Sequence, residues 1–554
     1  MARKDVDTLL GYLGHPGRYQ IMVFFLLMWQ YFPMCFNCLA MIMLAGKPLG
    51  AHCASPRTVS VYDPLRNSTE VVFSCDPGLD FRPNDSIAKC SKYGVVRRNW
   101  TAAGDGSYSN RPPETCLSCH ELEYEFDYPS ETTIISEFNL ICEDYWQVGL
   151  ATTLNFLGML VGGPLFGFAS DKYGRKPALL AASGFTFLVG FGVTFAPNYT
   201  TFLIFRFLIG LGIQGASLCA FTLMVETFPK QYREFAGVGA QLFWAGGVIL
   251  LGGFGYVLPN WRHLQLLISL SVVVSLAYVC FVKESLRWLY INQRFNEAAD
   301  VTHYMLHFNR KKHTKKIADC ADYLALWYQK EHEDEEKSAN SFVNLFTSPQ
   351  LRRRVLGMSY IWFTASIWYY AISFAITDFI GSKYINLAVA GVIDFLITVA
   401  CMYIVKRFGC RLPMFYCLVM GGVLAIVAGC LPATNLGFKI ARTVLGQLSR
   451  GMAHAVFNMM FPYASDLLPT AVRANGLGLC SAALRFGGVL APQLDLLGTY
   501  VSKEVPFVVC GLMGLLAALV TFVLPETRGV PLPETVDDLH TQSKRRSHAA
   551  LEMR

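Results

Sequence analysis

Four charged side chains stand deep inside apolar stretches of this 554-residue chain: Arg206, Asp394, Arg450 and Arg485. A charge at mid-membrane depth costs at least about 2.5–3.5 kcal/mol on insertion scales, so such residues mark paired or water-lined positions. Arg485 lies about 18 Å along a helix from Arg473, too deep for a loop residue. Arg450 and Arg485 would make an internal cavity attractive to carboxylates and other anions. A structural ion pair between Arg450 and Asp394 is the competing reading. Arg206 reads as a packing residue.

Aromatic rings crowd the same stretches. Trp362, Phe363, Trp368, Tyr369 and Tyr370 share one, Trp29, Tyr31, Phe32 and Phe36 another, and Phe243 and Trp244 a third. Such faces suit hydrophobic or cationic organic ligands through apolar contact and cation–π attraction, although rings in membrane helices more often pack or face lipid. Asn37, Asn155, Gln214, Gln241, His454 and Asn458 can hydrogen-bond a solute or join helices.

The elements that must hold these groups follow from composition. Hydrophobic residues make up 53% of the chain and charged residues 16%, with a mean hydropathy of +0.36. A soluble chain carries about 25% charge, so soluble multidomain enzymes, disordered proteins and coiled coils are disfavoured. The net charge of +7 is modest and dispersed, and gives no support to a nucleic-acid partner. The lipid bilayer is the expected partner. Windows of about 20 apolar residues occur near 21–44, 146–169, 178–196, 200–224, 235–258 and 263–282, then near 355–377, 383–405, 412–431, 436–463, 475–498 and 504–524. That predicts twelve transmembrane helices, six on each side of a polar stretch at 283–350. The first 20 residues lack a cleavable signal pattern and read as an amphipathic lead-in.

Basic clusters set the orientation. Lys172, Arg175 and Lys176, the central group around Arg310–Lys316 with Arg352–Arg354, then Lys406, Arg407 and Arg411, and Lys544–Arg546 all fall on one side, the cytoplasmic one. Both termini are then cytoplasmic. The opposite side carries a long loop, 45–143, with glycosylation sequons at Asn67, Asn84 and Asn99 and a fourth sequon at Asn198 before span 4. Cys53, Cys75, Cys90, Cys116, Cys119 and Cys142 in that loop predict three disulfides, with the pairing open among fifteen possibilities. The expected divisions are a first half 1–282, a cytoplasmic central loop 283–350, a second half 351–524 and a cytoplasmic tail 525–554.

The halves echo each other. Asp171-Lys-Tyr-Gly174-Arg175-Lys176 matches Lys406-Arg-Phe-Gly409-Cys-Arg411 at an offset of 235 residues. Glu226, Pro229 and Arg233 match Asp466, Pro469 and Arg473 at an offset of 240. A duplicated six-helix unit with a central site is a transporter arrangement. Gly174 and Gly409 would permit tight turns. The acids and arginines at these helix ends are candidates for a gate that pairs across the halves, with a solvated charged rim as the alternative.

Two short motifs are set aside. Gly210-x-Gly212-x-x-Gly215 spells a dinucleotide fingerprint but lies inside an apolar span, where, like Gly158-x-x-x-Gly162, it suits close helix packing. Cys116-x-x-Cys119-His120 spells a haem-attachment pattern, yet it sits among six loop cysteines. No metalloprotease or phosphate-loop pattern occurs, and neither cofactor, metal nor enzymatic activity is expected.

The run Gly167–Pro177, GFASDKYGRKP, resembles the signature between helices 2 and 3 of the major facilitator superfamily. Cys142-Glu143-Asp144, Trp261-Arg262, Glu284-Ser-Leu-Arg287-Trp-Leu289, Tyr369-Tyr370, Pro525-Glu526-Thr527 and Pro531–Thr535 resemble the organic ion transporters of solute carrier family 22. Leu286 replaces a usual proline and Cys410 a usual arginine. The second departure weakens the gate expected in the C-terminal half.

The resemblance implies an all-α membrane protein of twelve helices that moves small organic ions across the plasma membrane by alternating access. It also sharpens the roles. The position of Arg485 is acidic in organic cation transporters and arginine in the anion and carnitine-type branches. Asp394 and Arg450 match acidic and basic family positions. Substrate contacts are therefore expected from Arg485, Arg450, Asp394, Tyr369, Tyr370, Trp362, Trp368, Phe36, Phe243, Trp244 and Gln241. Gating contacts are expected from Asp171, Gly174, Arg175, Lys176, Glu226, Arg233, Asp466, Arg473, Glu284 and Arg287. Carnitine-like zwitterions or organic anions are the favoured substrates, and organic cations stay open. A coupling ion (sodium or proton) or a counter-substrate is a further partner left unselected. A sugar-type facilitator of the same fold, or a receptor that uses the long loop and has lost transport, are the alternatives.

Overall fold

The computed structural model describes residues 6–14, 16–48, 50–53, 58–60, 72–74, 122–126, 128, 130–141, 144–276, 278–311, 315–334, 348–432, 435–469 and 472–528. Asn67, Asn84 and Asn99, Cys75, Cys90, Cys116, Cys119 and Cys142, and the side chains of Cys53 and Arg233 lie outside the described residues. Asn198, the fourth sequon, caps the following helix, its side chain accepting from Thr201 N at 2.8 Å.

Each apolar window is helical. Span 1 runs as Arg18–Met28 and Tyr31–Leu44, interrupted at Trp29-Gln30. Spans 2 to 5 are Trp146–Tyr173, Arg175–Val193, Tyr199–Thr227 and Lys230–Val257. Span 6 is broken into Trp261–Ser271, Val273–Leu276 and Tyr278–Phe281. Spans 7 to 12 are Pro349–Phe374, Lys383–Phe408, Arg411–Cys430, Leu436–Leu467, Arg473–Tyr500 and Val505–Val523. Among the described residues nine helices are long and apolar enough to cross a membrane. The other three windows are the broken span 6 and spans 7 and 10. Large apolar side chains such as Phe168, Leu188, Ile385, Leu396, Leu519 and Phe522 are exposed, as an exterior facing lipid requires.

Glycines set how closely the spans approach. A Cβ on Gly158 would overlap the Phe207 carbonyl, one on Gly162 the Leu211 carbonyl, and one on Gly210 the Asn155 carbonyl, so spans 2 and 4 touch backbone to backbone. Gly212 abuts Thr186 and Gly215 abuts Phe166. The dinucleotide-like fingerprint is thus three packing glycines. Between the halves, span 2 packs on span 11 and span 5 on span 8. Gly174 at φ +110° and Gly409 at φ +80° make the tight turns after spans 2 and 8.

The polar central stretch has a core of its own. Phe295–Phe308 buries Ala298, Val301, Thr302, Met305 and Leu306, the spacing of one helix face. With Leu286–Ile291 and Lys315–Asp334 it packs on the N-terminal helix Val6–Leu13 through Leu9, Leu10, Trp288, Cys320 and Leu324. Asn309 pins the junction: its Oδ1 accepts from Tyr19 N at 2.8 Å and its Nδ2 donates to Leu13 O at 2.9 Å. In the loop, Gly50–Cys53 pairs antiparallel with Leu122–Glu125, and Thr58–Ser60 with Val72–Ser74.

These contacts separate two glycine classes experimentally. Gly210→Val should abolish the monodisperse peak in detergent size-exclusion chromatography. Gly184→Ala, whose Cβ meets nothing within 4 Å, should hold or raise the melting temperature, since glycine costs a helix about 1 kcal/mol relative to alanine.

Candidate functional site

Spans 7, 8 and 10 bring together one buried polar network. Asp394 and Arg450 have no exposed surface, and Arg450 Nη2 lies 2.9 Å from Asp394 Oδ1. The same nitrogen donates to Ala390 O at 2.6 Å, so the pair is held by charge more than by an aligned hydrogen bond. Tyr369 OH donates to Asp394 Oδ2 at 3.0 Å, and the Arg450 guanidinium lies 4.9 Å from the centre of the Tyr369 ring. Trp244 of span 5 donates its indole N–H to Tyr369 OH at 3.0 Å, which carries the network into the other half. On the far side of Asp394, His454, Thr398 and Asn458 form a second chain of hydrogen bonds.

Arg485 is placed differently. It is half-buried in span 11, and no carboxylate among the described residues lies within ion-pair distance. Its Nη1 is 4.0 Å from Met159 Sδ of span 2, a sulfur that also lies 3.9 Å from Cys38 Sγ of span 1. Its Nε has no hydrogen-bond partner. Its charge is felt at Tyr31, Cys38 and Tyr370. Arg485 therefore faces the interface between halves, with donors to spare.

Arg206 is wholly buried between spans 1 and 4 and donates to Asn37 O at 3.0 Å. Asn155 Nδ2 shares that carbonyl at 3.5 Å. This is the packing position expected of it.

Of the aromatic residues, Tyr369 and Tyr370 sit at the centre. Tyr370 meets Phe156 of span 2 with ring centres 4.7 Å apart, and Tyr369 meets Phe457 at 5.5 Å. Trp362 lies about two helical turns before Tyr369 on this face and packs on Phe461 at 4.3 Å. Trp368 points elsewhere: it wedges against Gly421 and Gly514 and donates to Ser449 Oγ at 3.1 Å, filling the space among spans 7, 9, 10 and 12. One residue along a helix turns a side chain by about 100°, which carries the Trp368 ring away from the face that Tyr369 presents. Phe36 packs on Phe32 and Phe254. Phe243 joins Phe24, Phe25 and Phe32, away from the ion pair. Gln241 is half-buried in the turn before Trp244. Phe156, Phe457 and Thr398 were not singled out from sequence, because nothing in their spacing distinguishes them from packing residues.

The helix-end charges cluster where Gly174 turns. Arg175 pairs with Asp171 at 2.7 Å and with Glu226 at 3.2 Å. Glu284 accepts from the main-chain N–H groups of Arg175, Lys176 and Ser285 at 3.1, 3.1 and 2.9 Å. Burial pushes the Glu284 carboxyl above its usual range, against these donors and the Arg175 charge. Arg287 pairs with Asp7 at 2.5 Å. Each of these contacts stays within the first six spans and the segments attached to them, because spans 2, 3, 4 and 6 end side by side. In the other half Arg473 donates to Leu468 O, Arg354 to Leu467 O, and Arg411 to the carbonyls of Thr521 and Phe522. Asp466 and Arg473 are electrostatic neighbours.

Ties between the halves lie at the opposite end, which carries the long loop. Lys47 bonds Asp378 at 3.0 Å and Lys503 approaches the same carboxylate at 3.4 Å. Burial would raise the Asp378 carboxyl, but the two lysines hold it below the usual range. Lys383 of span 8 pairs with the buried Glu131, and Gln493 Nε2 donates to Thr153 Oγ1 at 2.9 Å. Sequence spacing gives no sign of pairs 331 or 252 residues apart.

Two six-helix sets around buried charges and rings, with matching glycine turns, define a membrane transporter of the major facilitator type. The inward-open structure of the xylose transporter XylE from E. coli shares the fold, with a TM-score of 0.55 at 18% identity over 70% of this chain and 88% of that one. The family described as "Sugar (and other) transporter" matches residues 114–538. A "Solute carrier family 22 member 15-like" protein of Xenopus laevis is 32% identical over 423 residues, 76% of this chain and 84% of its own length. An "Organic cation transporter protein" of Drosophila melanogaster is 29% identical over 537 residues, 96% of this chain and 94% of its own. The chain belongs to solute carrier family 22, as its motifs indicated.

Breaking the buried pair should be costly. Asp394→Asn should lower folding stability by about 3–5 kcal/mol through the uncompensated Arg450 charge, read as a fall in melting temperature in detergent. Joint replacement by Asp394→Leu and Arg450→Met should recover most of that loss.

Proposed function

We propose that this chain moves small organic ions carrying a carboxylate, zwitterions of the carnitine type or organic anions, across the plasma membrane by alternating access. Arg485 carries the reading. Asp394 and Arg450 neutralise each other at 2.9 Å, whereas Arg485 faces the interface between halves without a carboxylate among the described residues. A guanidinium with free N–H donors is matched to a carboxylate's two oxygens. Tyr370 and Phe156, packed at 4.7 Å, would give the organic body of the ligand an apolar wall, and such contacts tolerate many shapes. That is the basis of a broad substrate range.

The bundle end at Gly174 would face the cytoplasm with both termini, and the long loop would lie outside, following the basic clusters. The ion pairs at Gly174 would hold the first half together as a unit. The pairs Lys47–Asp378 and Glu131–Lys383 would open when the outer side opens. Phe36, Trp362, Phe243, Trp244 and Gln241 would contribute contacts only where the halves part.

Uptake of labelled carnitine, hippurate and tetraethylammonium into cells expressing the protein tests the reading, with Arg485→Asp in parallel. Uptake of carnitine or hippurate should fall at least about tenfold in the variant, the loss of one charge-assisted contact. Tetraethylammonium uptake unchanged by the variant, with no uptake of the other two, would overturn the charge assignment and favour an organic cation. Uptake of none of the three would favour the sugar-type or receptor alternatives.

A further inference from the structure

The hydrogen atoms around Thr398 determine the state of His454. The Thr398 hydroxyl has one hydrogen, which it donates to Asp394 O at 2.9 Å. Asn458 Nδ2 donates to the hydroxyl oxygen at 3.3 Å, and its other contact, to His454 O at 3.1 Å, also requires a donor. His454 Nε2 lies 2.9 Å from the same oxygen. With its hydrogen already committed, the hydroxyl can only accept from Nε2, so the neutral imidazole carries its proton there. Nδ1 is then a bare lone pair, and it faces Asp394 Oδ2 at 3.9 Å. Two acceptors confront each other across that gap. One added proton would turn the confrontation into a charge-assisted contact.

We propose that His454 Nδ1, backed by Asp394, is a proton-binding site that couples transport to a proton gradient. The inference rests on the reading above, that the ligand carries a carboxylate. The charged and titratable groups facing the imidazole are Asp394 from span 8, Arg450 from its own helix and Tyr369 from span 7, whose ring centre is 5.9 Å away. Span 1 adds the Cys35 thiol, in the field of Asp394 and Arg450, and span 5 adds Trp244, which does not titrate.

Without the proton this group is neutral overall, one carboxylate against one guanidinium. With it the group carries a net positive charge in an apolar interior, an unfavourable state by itself. A carboxylate arriving at Arg485 relieves it. Arg485 contacts Met159 and Tyr370 contacts Phe156, both on span 2, and Tyr370 meets Tyr369 with ring centres 5.4 Å apart, so the two sites share one wall. Proton and anion therefore favour each other's binding, and the coupling is reciprocal. The proton comes from water on one side, forms a single N–H bond at Nδ1, and returns to water on the other side when the ligand leaves. Proton and carboxylate travel in the same direction.

The test uses the purified full chain in liposomes that enclose a pH-sensitive dye, with labelled carnitine and hippurate as probes. Uptake should rise at least about fivefold as outside pH falls from about 7.5 to about 5.5, inside the range over which histidine side chains change charge. Adding either probe should acidify the interior. His454→Gln, whose amide can keep the hydrogen bond to Thr398 but cannot take a proton, should show uptake that no longer varies with pH, whatever its level. Wild-type uptake with no internal acidification, or one that depends on sodium instead, overturns the proposal without touching the transport reading, and needs no variant. An unaltered pH profile in His454→Gln also overturns it. Absence of uptake of both probes by the wild type at every pH overturns the carboxylate reading itself.

Discussion

Asp394 and Arg450 are charges with no exposed surface, and much of the second half is arranged to make that tolerable. Neither charge reaches water, so neighbouring polar atoms are recruited. Ala390 offers a carbonyl, Tyr369 a hydroxyl and a ring face, and Trp244 reaches over from the other half to hold the hydroxyl. A buried pair of this kind contributes little net stability, because desolvation offsets the attraction. What it does provide is a fixed geometry for spans 7, 8 and 10.

The first half reaches rigidity by another route. Spans 2 and 4 meet through glycines with backbone against backbone, and the ionic cluster around Arg175 binds the ends of spans 2, 3 and 4 to the segment after span 6. Such contacts resist internal deformation. Between the halves, by contrast, the joins are side-chain pairs and the few packed faces of spans 2, 5, 8 and 11. Arg485 and Tyr370 lie on that boundary between the two halves.

Much of this was legible from residue order alone. Twelve apolar windows became helices because hydropathy dominates in a chain with so little charge. The turns at Gly174 and Gly409 were legible because positive φ favours glycine, and the Arg450–Asp394 pairing was one of two readings that burial forces on any intramembrane charge. The rest depends on relative placement. Arg175 has several acids in reach by sequence logic, and only the packing of spans 2, 3 and 4 selects Glu226. Trp368 and Tyr369 are neighbours in sequence and face different helices, which composition cannot disclose. The partnership of Lys47 with Asp378 needs two chain ends brought together by folding. The central stretch, read as a polar loop, carries apolar residues at helical spacing in Phe295–Phe308, and its core with Val6–Leu13 was missed because its mean polarity hides the pattern.

Glu131 belongs to the long loop between spans 1 and 2, yet it grips Lys383 of the second half, while Thr132 and Glu137 just beyond it hold Asn260, Trp261 and Arg262 of the first. The stretch 131–137 at the end of the loop is therefore tied to both halves across a gap of a few residues. Any separation of the halves at that end would strain or release one of the two ties, so this short stretch is a leash between them.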